Sequence, residues 1–223
     1  MTVSEMIDNF LVEYGMVLAV PAPSFTDSEI LFFLNKGQND LVFDLYSQGD
    51  TFVLNDSDLI DSYTFASPAL SSTLPANSYE LALSSATRYK YYLNSYSTLT
   101  RRFLPTITSG EKFKNHNIPK TEAANYEVSS ANSAIFRNPK LYKDGATIVV
   151  MVDSYSTATA VFIEFVKEPK TLVTTVASAT TETTTSELRA DYHDKIVSKA
   201  VQYAQVTTSP EKAAASVKLD QTI

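Results

Sequence analysis

The sequence predicts an α+β protein with a small helical part, an antiparallel strand-rich part, and extended loops and arms. Three observations lead to this prediction. Apolar residues recur at helical spacing near both ends of the chain, and polar and apolar residues alternate over short runs in its middle. Hydrophobic residues make up 44% of the 223 residues, with 13 Tyr and 12 Phe, which is enough for a real core.

The first helix is predicted over about residues 4–15. Met6, Phe10 and Tyr14 repeat at intervals of four residues, and Gly15 follows them as a candidate C-cap. This stretch also carries acidic residues and no basic leader region, so we do not interpret it as a signal peptide.

The second helix, predicted over residues 27–46, lies in the most strongly patterned stretch, PSFTDSEILFFLNKGQNDLVFDLY at 23–46. Thr26 and Glu29 have the spacing of a capping box, which marks the start of a helix. Four apolar residues then follow at roughly helical spacing: Ile30, Leu34, Leu41 and Leu45.

Phe32 and Phe43 widen this apolar surface beyond one narrow stripe. Two interpretations follow, a central core helix or a helix that partly faces another subunit, because a broadly apolar helix must be covered on all sides. Gly37 is either a weak point of the helix or the site of close contact with another backbone.

The strand-rich part is predicted over residues 51–173, with a brief helix near residues 121–127. Asp144-Gly145 is a hairpin-turn signal. Together with a second hairpin that follows it, this turn predicts a three-stranded antiparallel meander over residues 139–167.

About half of the stretch 171–187 is threonine. We expect residues 174–186 to form a threonine-rich loop with mobile parts. A last helix is predicted over residues 188–206, completing a single domain of residues 1–206. Residues 207–223 are expected to form an extended C-terminal arm.

Composition excludes several classes of function. The net charge is −7 and no dense basic run is present, whereas a duplex-binding protein needs clustered Lys and Arg. The absence of cysteine excludes a disulfide framework and zinc–thiolate sites. No run approaches the roughly 18 apolar residues that a membrane span requires.

The residues that could carry chemistry are few. The two histidines, His116 and His193, have no partner at metal-ligand spacing, and we assign His193 a surface or capping role beside Asp194. No glycine-rich nucleotide-binding motif is present. We therefore expect no catalytic residue, no metal and no cofactor, and predict that the protein is not an enzyme.

Four stretches together resemble the ring-forming neck proteins of tailed bacteriophages, especially those of crAss-like phages. They are PSFTDSEILFFLNKGQNDLVFDLY, SAIFRNPKLYKDGATIVVMVDSY, VFIEFVKEPKTL and LRADYHDKIVSKAVQYA, and they cover roughly half of the chain. The long threonine-rich insert and the long tail depart from the compact pattern of that family.

The resemblance implies a structural virion protein that forms a ring of about twelve copies in the neck. The expected partners are further copies of the chain, the portal protein and neighbouring neck or tail rings. Genomic DNA would pass through the ring without specific binding, and no membrane would be involved. The protein would be assembled in the host cytoplasm and reside in the virion.

The candidate interaction residues are Phe32, Phe43, Thr180, Thr183, Thr185, Pro210, Val217 and Ile223. Two alternatives stay open. The chain is another tail component, such as a tail hub or a receptor- or glycan-binding module in which the Tyr-rich middle contacts a sugar. Otherwise it is an enzyme with an unrecognised site, which changes at His193 or Asp194 would reveal.

Overall fold

The computed structural model describes residues 1–18, 25–71, 77–101, 111–123 and 138–208. Its α-helices are α1 (Val3–Leu18), α2 (Asp27–Ser47), α3 (Thr51–Asp56) and α4 (His193–Thr208). Its strands are β1 (Ile60–Ala66), β2 (Ser78–Ala82), β3 (Tyr89–Arg101), β4 (Glu111–Lys114), β5 (His116–Asn117), β6 (Lys140–Asp144), β7 (Thr147–Met151), β8 (Ser156–Lys167), β9 (Thr171–Leu172) and β10 (Glu182–Thr183). The predicted α+β class is confirmed.

The chain forms two compact units. The helical unit joins Met1–Ile60 to Glu168–Ile223, and the strand unit is the continuous stretch Asp61–Lys167. The sequence predicts a single domain over residues 1–206, whereas the described chain divides in two because residues 61–167 close a hydrophobic core of their own.

In the helical unit, α2 packs against α4 at a close crossing. A Cβ atom on Gly37 would lie 2.8 Å from the carbonyl oxygen of Ile196 and 3.2 Å from the amide nitrogen of Ala200. Gly37 therefore lies at a close backbone contact, the second of the two explanations offered by the sequence. The apolar residues predicted on this helix, Ile30, Leu34, Leu41 and Leu45, are all buried.

The predicted capping box at the start of α2 is confirmed. The Thr26 amide donates to Glu29 Oε2 at 2.8 Å, and the Glu29 amide donates to Thr26 Oγ1 at 3.3 Å. Helix α1 begins with the same arrangement between Thr2 and Glu5. Each box satisfies backbone N–H groups that a helix start leaves without intrahelical partners.

Three predicted boundaries differ in the structure. Helix α1 continues through Gly15 to Leu18, so Gly15 is not a C-cap. Residues 51–56, assigned to the strand-rich part, form α3 because the Asp50 side chain caps them by accepting from the Val53 amide. The last helix begins at His193 instead of residue 188, after a 3₁₀ turn at Ala190–Tyr192.

The strand unit contains two four-stranded sheets. Their strand orders are β1-β8-β3-β4 and β2-β7-β6-β5. Side chains from both sheets form the main core of this unit, including Tyr79, Leu99, Ile148, Ile163 and Phe165. A smaller cluster on the second sheet joins Tyr142, Val149 and Met151 to Ala123, where residues 120–123 are helical. The remainder of the brief helix predicted at 121–127 lies outside the described residues.

The first predicted hairpin is confirmed, but the meander is wrong. Strands β6 and β7 pair across Gly145-Ala146, and Gly145 has a φ of +57°, which suits glycine at a tight hairpin turn. Strand β8 does not continue this sheet. Strand β8 pairs along its length with β3. The edge of β7 that does not pair with β6 pairs with β2.

Candidate functional site

Helix α2 presents one exposed apolar stripe, which we define as Phe32 and Phe43. Their side chains are 64% and 50% exposed, although most other apolar residues of this helix are buried. Eleven residues make about three turns of helix, so both rings lie on one face, about 16 Å apart along its axis. Lys36 lies between them, with its Nζ 3.9 Å from the centroid of the Tyr203 ring on α4.

A second face of α2 holds the chain that follows the strand unit. The Asn35 side chain donates to the carbonyl of Leu172 at 3.1 Å and accepts from its amide at 2.7 Å. Gln38 is buried, donates to the Lys170 carbonyl at 2.9 Å and accepts from Ser186 Oγ at 2.6 Å. These two side chains, which we call the amide clamp, tie both ends of the threonine-rich segment to the helical unit.

The threonine-rich segment 174–186 is held by hydrogen bonds within its own subunit, which corrects the expectation of a loop with mobile parts. It contains β10, which pairs in parallel with β9. The carbonyl of Thr184 accepts from the Val3 amide at 2.8 Å, and Thr185 forms a bridge with Thr2. Backbone groups of the segment form hydrogen bonds with β9 and with the start of α1, and these bonds hold the segment in place.

The three candidate threonines of this segment differ in their contacts. Thr183 Oγ1 donates to the Thr185 carbonyl at 2.7 Å, so these two residues are joined by a local turn. Thr180 is exposed, and its hydroxyl lies 3.0 Å from that of Ser178. These threonines therefore lie in the threonine-rich segment, whereas the Phe32 and Phe43 stripe lies on α2. Pro210, Val217 and Ile223, and the arm over residues 207–223 beyond Thr208, lie outside the described residues.

Of the two histidines, one is exposed and one is buried. His116 is exposed in β5. His193 is 3% exposed, and its Nε2 donates to the Leu188 carbonyl at 2.8 Å, so a surface role is wrong. The alternative, a capping role, agrees with its position as C-cap of the 3₁₀ turn and first residue of α4. Its burial follows from its position at the junction of the 3₁₀ turn and α4. Within the described ranges, no group of three or more His, Asp or Glu side chains could hold a metal ion.

A cavity of about 230 Å³ lies in the strand unit between β3 of one sheet and β6–β7 of the other. Its lining residues are Tyr92, Asn117, Ile118, Leu141, Tyr142, Lys143 and Ile148. Lys143 and Ile148 are direct cross-strand partners, and Leu141 lies two residues along on the same face. The lining is therefore mostly apolar, with one charged side chain.

A buried polar network lies behind one wall of this cavity. Tyr92 donates to Ser95 Oγ at 2.8 Å, Asn115 Nδ2 donates to the same oxygen at 2.9 Å, and Ser97 Oγ donates to Asn115 Oδ1 at 2.7 Å. Burial raises the pKa of the Tyr92 phenol, and hydrogen bonds with Ser95 and Asn117 oppose this shift. These hydrogen bonds hold the hydroxyl group of Tyr92 at one wall of the cavity.

Neither the amide clamp on α2 nor this cavity was predicted from the sequence. The spacing of Asn35 and Gln38 places them on one face of α2, but they lie in the polar run NKGQND at 35–40, so the sequence does not single them out. The cavity has no sequence signal either, because it depends on which strands face each other across the two sheets.

No known protein family matches the chain, and no curated protein matches it. No helix in the described part of the chain is long and apolar enough to cross a membrane.

Proposed function

We propose that this protein is a structural subunit that forms a ring in the neck of a tailed bacteriophage. In this role it joins the portal and capsid to the tail, lines the passage for DNA and binds copies of itself on two sides. Its axial partners are the portal protein and the neighbouring neck or tail rings. The role requires no catalytic residue, metal or cofactor.

The packing of the resembling stretches supports this proposal. Helix α2, the EPKTL stretch around β9, and helix α4 come from three of the four stretches that resemble neck proteins. They contact one another through Gly37 and Ile196, and through Asn35 and Leu172. Segments far apart in the sequence thus build one continuous part of the helical unit.

The exposed stripe of Phe32 and Phe43 is the observation that carries the proposal. Single exposed apolar residues are normal on protein surfaces, but two phenylalanines aligned on one helix face offer a partner two apolar contact points along one line. A ring subunit needs such a contact, because one face of each copy must meet a different face of the next.

The proposal is tested by measuring whether variants of this protein with changed stripe residues are incorporated into phage particles. Phe32→Ser with Phe43→Ser should leave the subunit folded, since both rings are at least half exposed, but should block its incorporation into particles. Phe52→Ser is the matched control, because Phe52 is 72% exposed on α3, outside the stripe, and its change should leave incorporation intact. Normal incorporation of the double variant would contradict the stripe's role.

One observation favours a second candidate function, a glycan-binding tail module. Tyr96 and Phe162 are cross-strand partners, and Lys112 Nζ lies 4.7 Å from the centroid of each ring. Tyr96 also accepts a hydrogen bond from Asn94 at 3.0 Å, so aromatic and polar groups lie side by side. Binding to a glycan array that Tyr96→Ala abolishes would favour this function over the ring.

A further inference from the structure

The cavity of the strand unit has the size of a site for a small ligand. An engineered cavity of about 150 Å³ in another protein holds benzene, whereas pockets for drug-sized molecules begin at about 300 Å³. The cavity here, about 230 Å³, lies between these sizes. Its capacity matches a short aliphatic chain or a single ring.

The walls favour an apolar body. Leu141 and Ile148 are almost fully buried and line the cavity from the sheet that contains β6 and β7. Tyr92 faces them from β3, and its hydroxyl is engaged by Ser95 and Asn117. The polar atom of this wall is therefore already satisfied, which leaves the ring surface for contact with an apolar ligand.

Lys143 is the one charged side chain among the lining residues, and the carboxylate of Glu164 acts on Tyr92 from outside the lining. Lys143 is an exposed residue of β6, and its Nζ lies 5.4 Å from the centroid of the Tyr89 ring. The neighbouring carboxylate of Asp144 forms an ion pair with Lys120 at 2.7 Å. Among the ion pairs of the described residues, none includes Lys143. Its positive charge is thus placed to meet an anion at the rim.

We propose that this cavity binds a small carboxylate, with the apolar body between Tyr92, Leu141 and Ile148 and the anionic group at Lys143. This inference goes beyond the proposed ring function and does not depend on it. The ammonium group acts at the solvent-exposed rim, so its contribution has the size of an exposed ion pair, about a two- to fivefold gain in affinity.

Saturation-transfer NMR on the full chain tests the site with hexanoate, hexanol and hexylamine as probes. These molecules share one apolar body and differ in charge. We expect millimolar binding in the order hexanoate, hexanol, hexylamine, with hexanoate about two- to fivefold tighter than hexanol. No transfer to any of the three probes at millimolar concentration would overturn the proposal.

Cavity-filling variants test whether hexanoate binds in this cavity. Ile148→Phe and Leu141→Phe each fill the cavity and should weaken hexanoate binding at least about tenfold; two variants are used in case one of them fails to fold. Val150→Ile is the matched control, since Val150 belongs to the same core without lining the cavity, and it should leave binding unchanged. Equal binding by the parent and a folded filled variant would overturn the proposal.

Lys143→Met separates the charge from the apolar contact. The change keeps an unbranched apolar stem and removes the ammonium group, and Lys143 is exposed, so the fold should be unaffected. We expect the preference for hexanoate over hexanol to disappear while hexanol binds as before. A preference that persists in this variant would contradict the role of Lys143.

Discussion

Gly37 is the residue at which the packing of the helical unit is most tightly constrained. It lies inside α2, where glycine costs about 1 kcal/mol relative to alanine. Glycine is nevertheless required here because α4 packs so closely that a Cβ atom at this position would lie 2.8 Å from the Ile196 carbonyl oxygen. Since backbone atoms cannot rotate away, the two helices would have to separate.

We therefore expect Gly37→Ala to destabilise the protein despite its better helix propensity. Overpacking at a close contact costs about 1–3 kcal/mol, which exceeds the gain in propensity of about 1 kcal/mol. Gly15→Ala is the matched control, because a Cβ atom added to Gly15 in α1 would meet nothing within 4 Å, and this change should be neutral or stabilising. Denaturant unfolding of the two variants measures the difference, and a stabilised Gly37→Ala variant would contradict the close crossing.

The two capping boxes make the helix starts sensitive to acid. Hydrogen bonds from the Thr26 backbone amide and side chain hold the pKa of Glu29 below its usual value, and bonds from Thr2 do the same for Glu5. A carboxyl whose pKa is lowered on folding contributes stability above its unfolded pKa, and this contribution is lost as the pH falls through the folded value.

We expect the unfolding midpoint of the parent to fall more steeply on acidification than that of a Glu5→Gln, Glu29→Gln double variant. The amide side chain keeps the size of the carboxylate but does not titrate. Thermal melts at a series of pH values below neutrality check this. Parallel pH profiles for the two proteins would show that the boxes add no acid sensitivity.

At the scale of elements, local sequence signals predicted α2 well, but they did not predict which strands pair over long sequence distances. The start of α2 follows from Thr26 and Glu29, and the hairpin turn follows from Gly145, because the relevant contacts lie within a few residues. The partner of β8 could not be predicted in this way. Its 12 residues pair with the 13-residue β3, far earlier in the chain, and nothing in the connecting residues 152–155 excludes the simpler hairpin.

The amide clamp should make a measurable contribution to stability. Gln38→Leu would leave the Lys170 carbonyl and the Ser186 hydroxyl without the partner they now have, at a cost of about 1–3 kcal/mol. Gln202→Leu, an exposed change on α4, should stay within about 0.5 kcal/mol of the parent. Equal unfolding free energies for both variants would contradict the clamp.

The hydrogen bonds that the threonine-rich segment accepts should protect its partner amides from hydrogen exchange in the free subunit. The amides of Thr171, Val173 and Val3 donate to carbonyls of the segment at 2.8, 2.9 and 2.8 Å. We expect these three amides to exchange more slowly than in an unstructured peptide, and to lose protection when Asn35 and Gln38 are both changed to Ala. Exchange at the peptide rate in the parent would restore the expectation of a mobile loop.

At the scale of the whole molecule, the division into two units was not visible in the sequence. The helical unit is assembled from residues at both ends of the chain, and the intervening stretch of the sequence, Asp61–Lys167, forms the second compact unit. Periodicity identifies helices and strands but not the long-range contacts that decide how they group. The cavity could not be predicted for the same reason, because its walls combine Tyr92 with residues of β6 and β7 much later in the chain.

We expect the purified protein to be monomeric or weakly associated at micromolar concentration. Two exposed phenylalanines expose an apolar area well below the roughly 800 Å² per partner that stable interfaces bury. A template such as the portal would then be needed to start a ring. Light scattering measures the mass in solution, and a stable ring of the isolated protein would contradict this expectation.

Cryo-electron microscopy of phage particles assembled in the presence of this chain tests the proposed function most directly. The proposed function predicts a closed ring of copies between portal and tail, with the Phe32 and Phe43 stripe of each copy buried against a neighbouring copy. Density for the chain at another part of the particle, or a neck ring in which this stripe faces solvent, would contradict it.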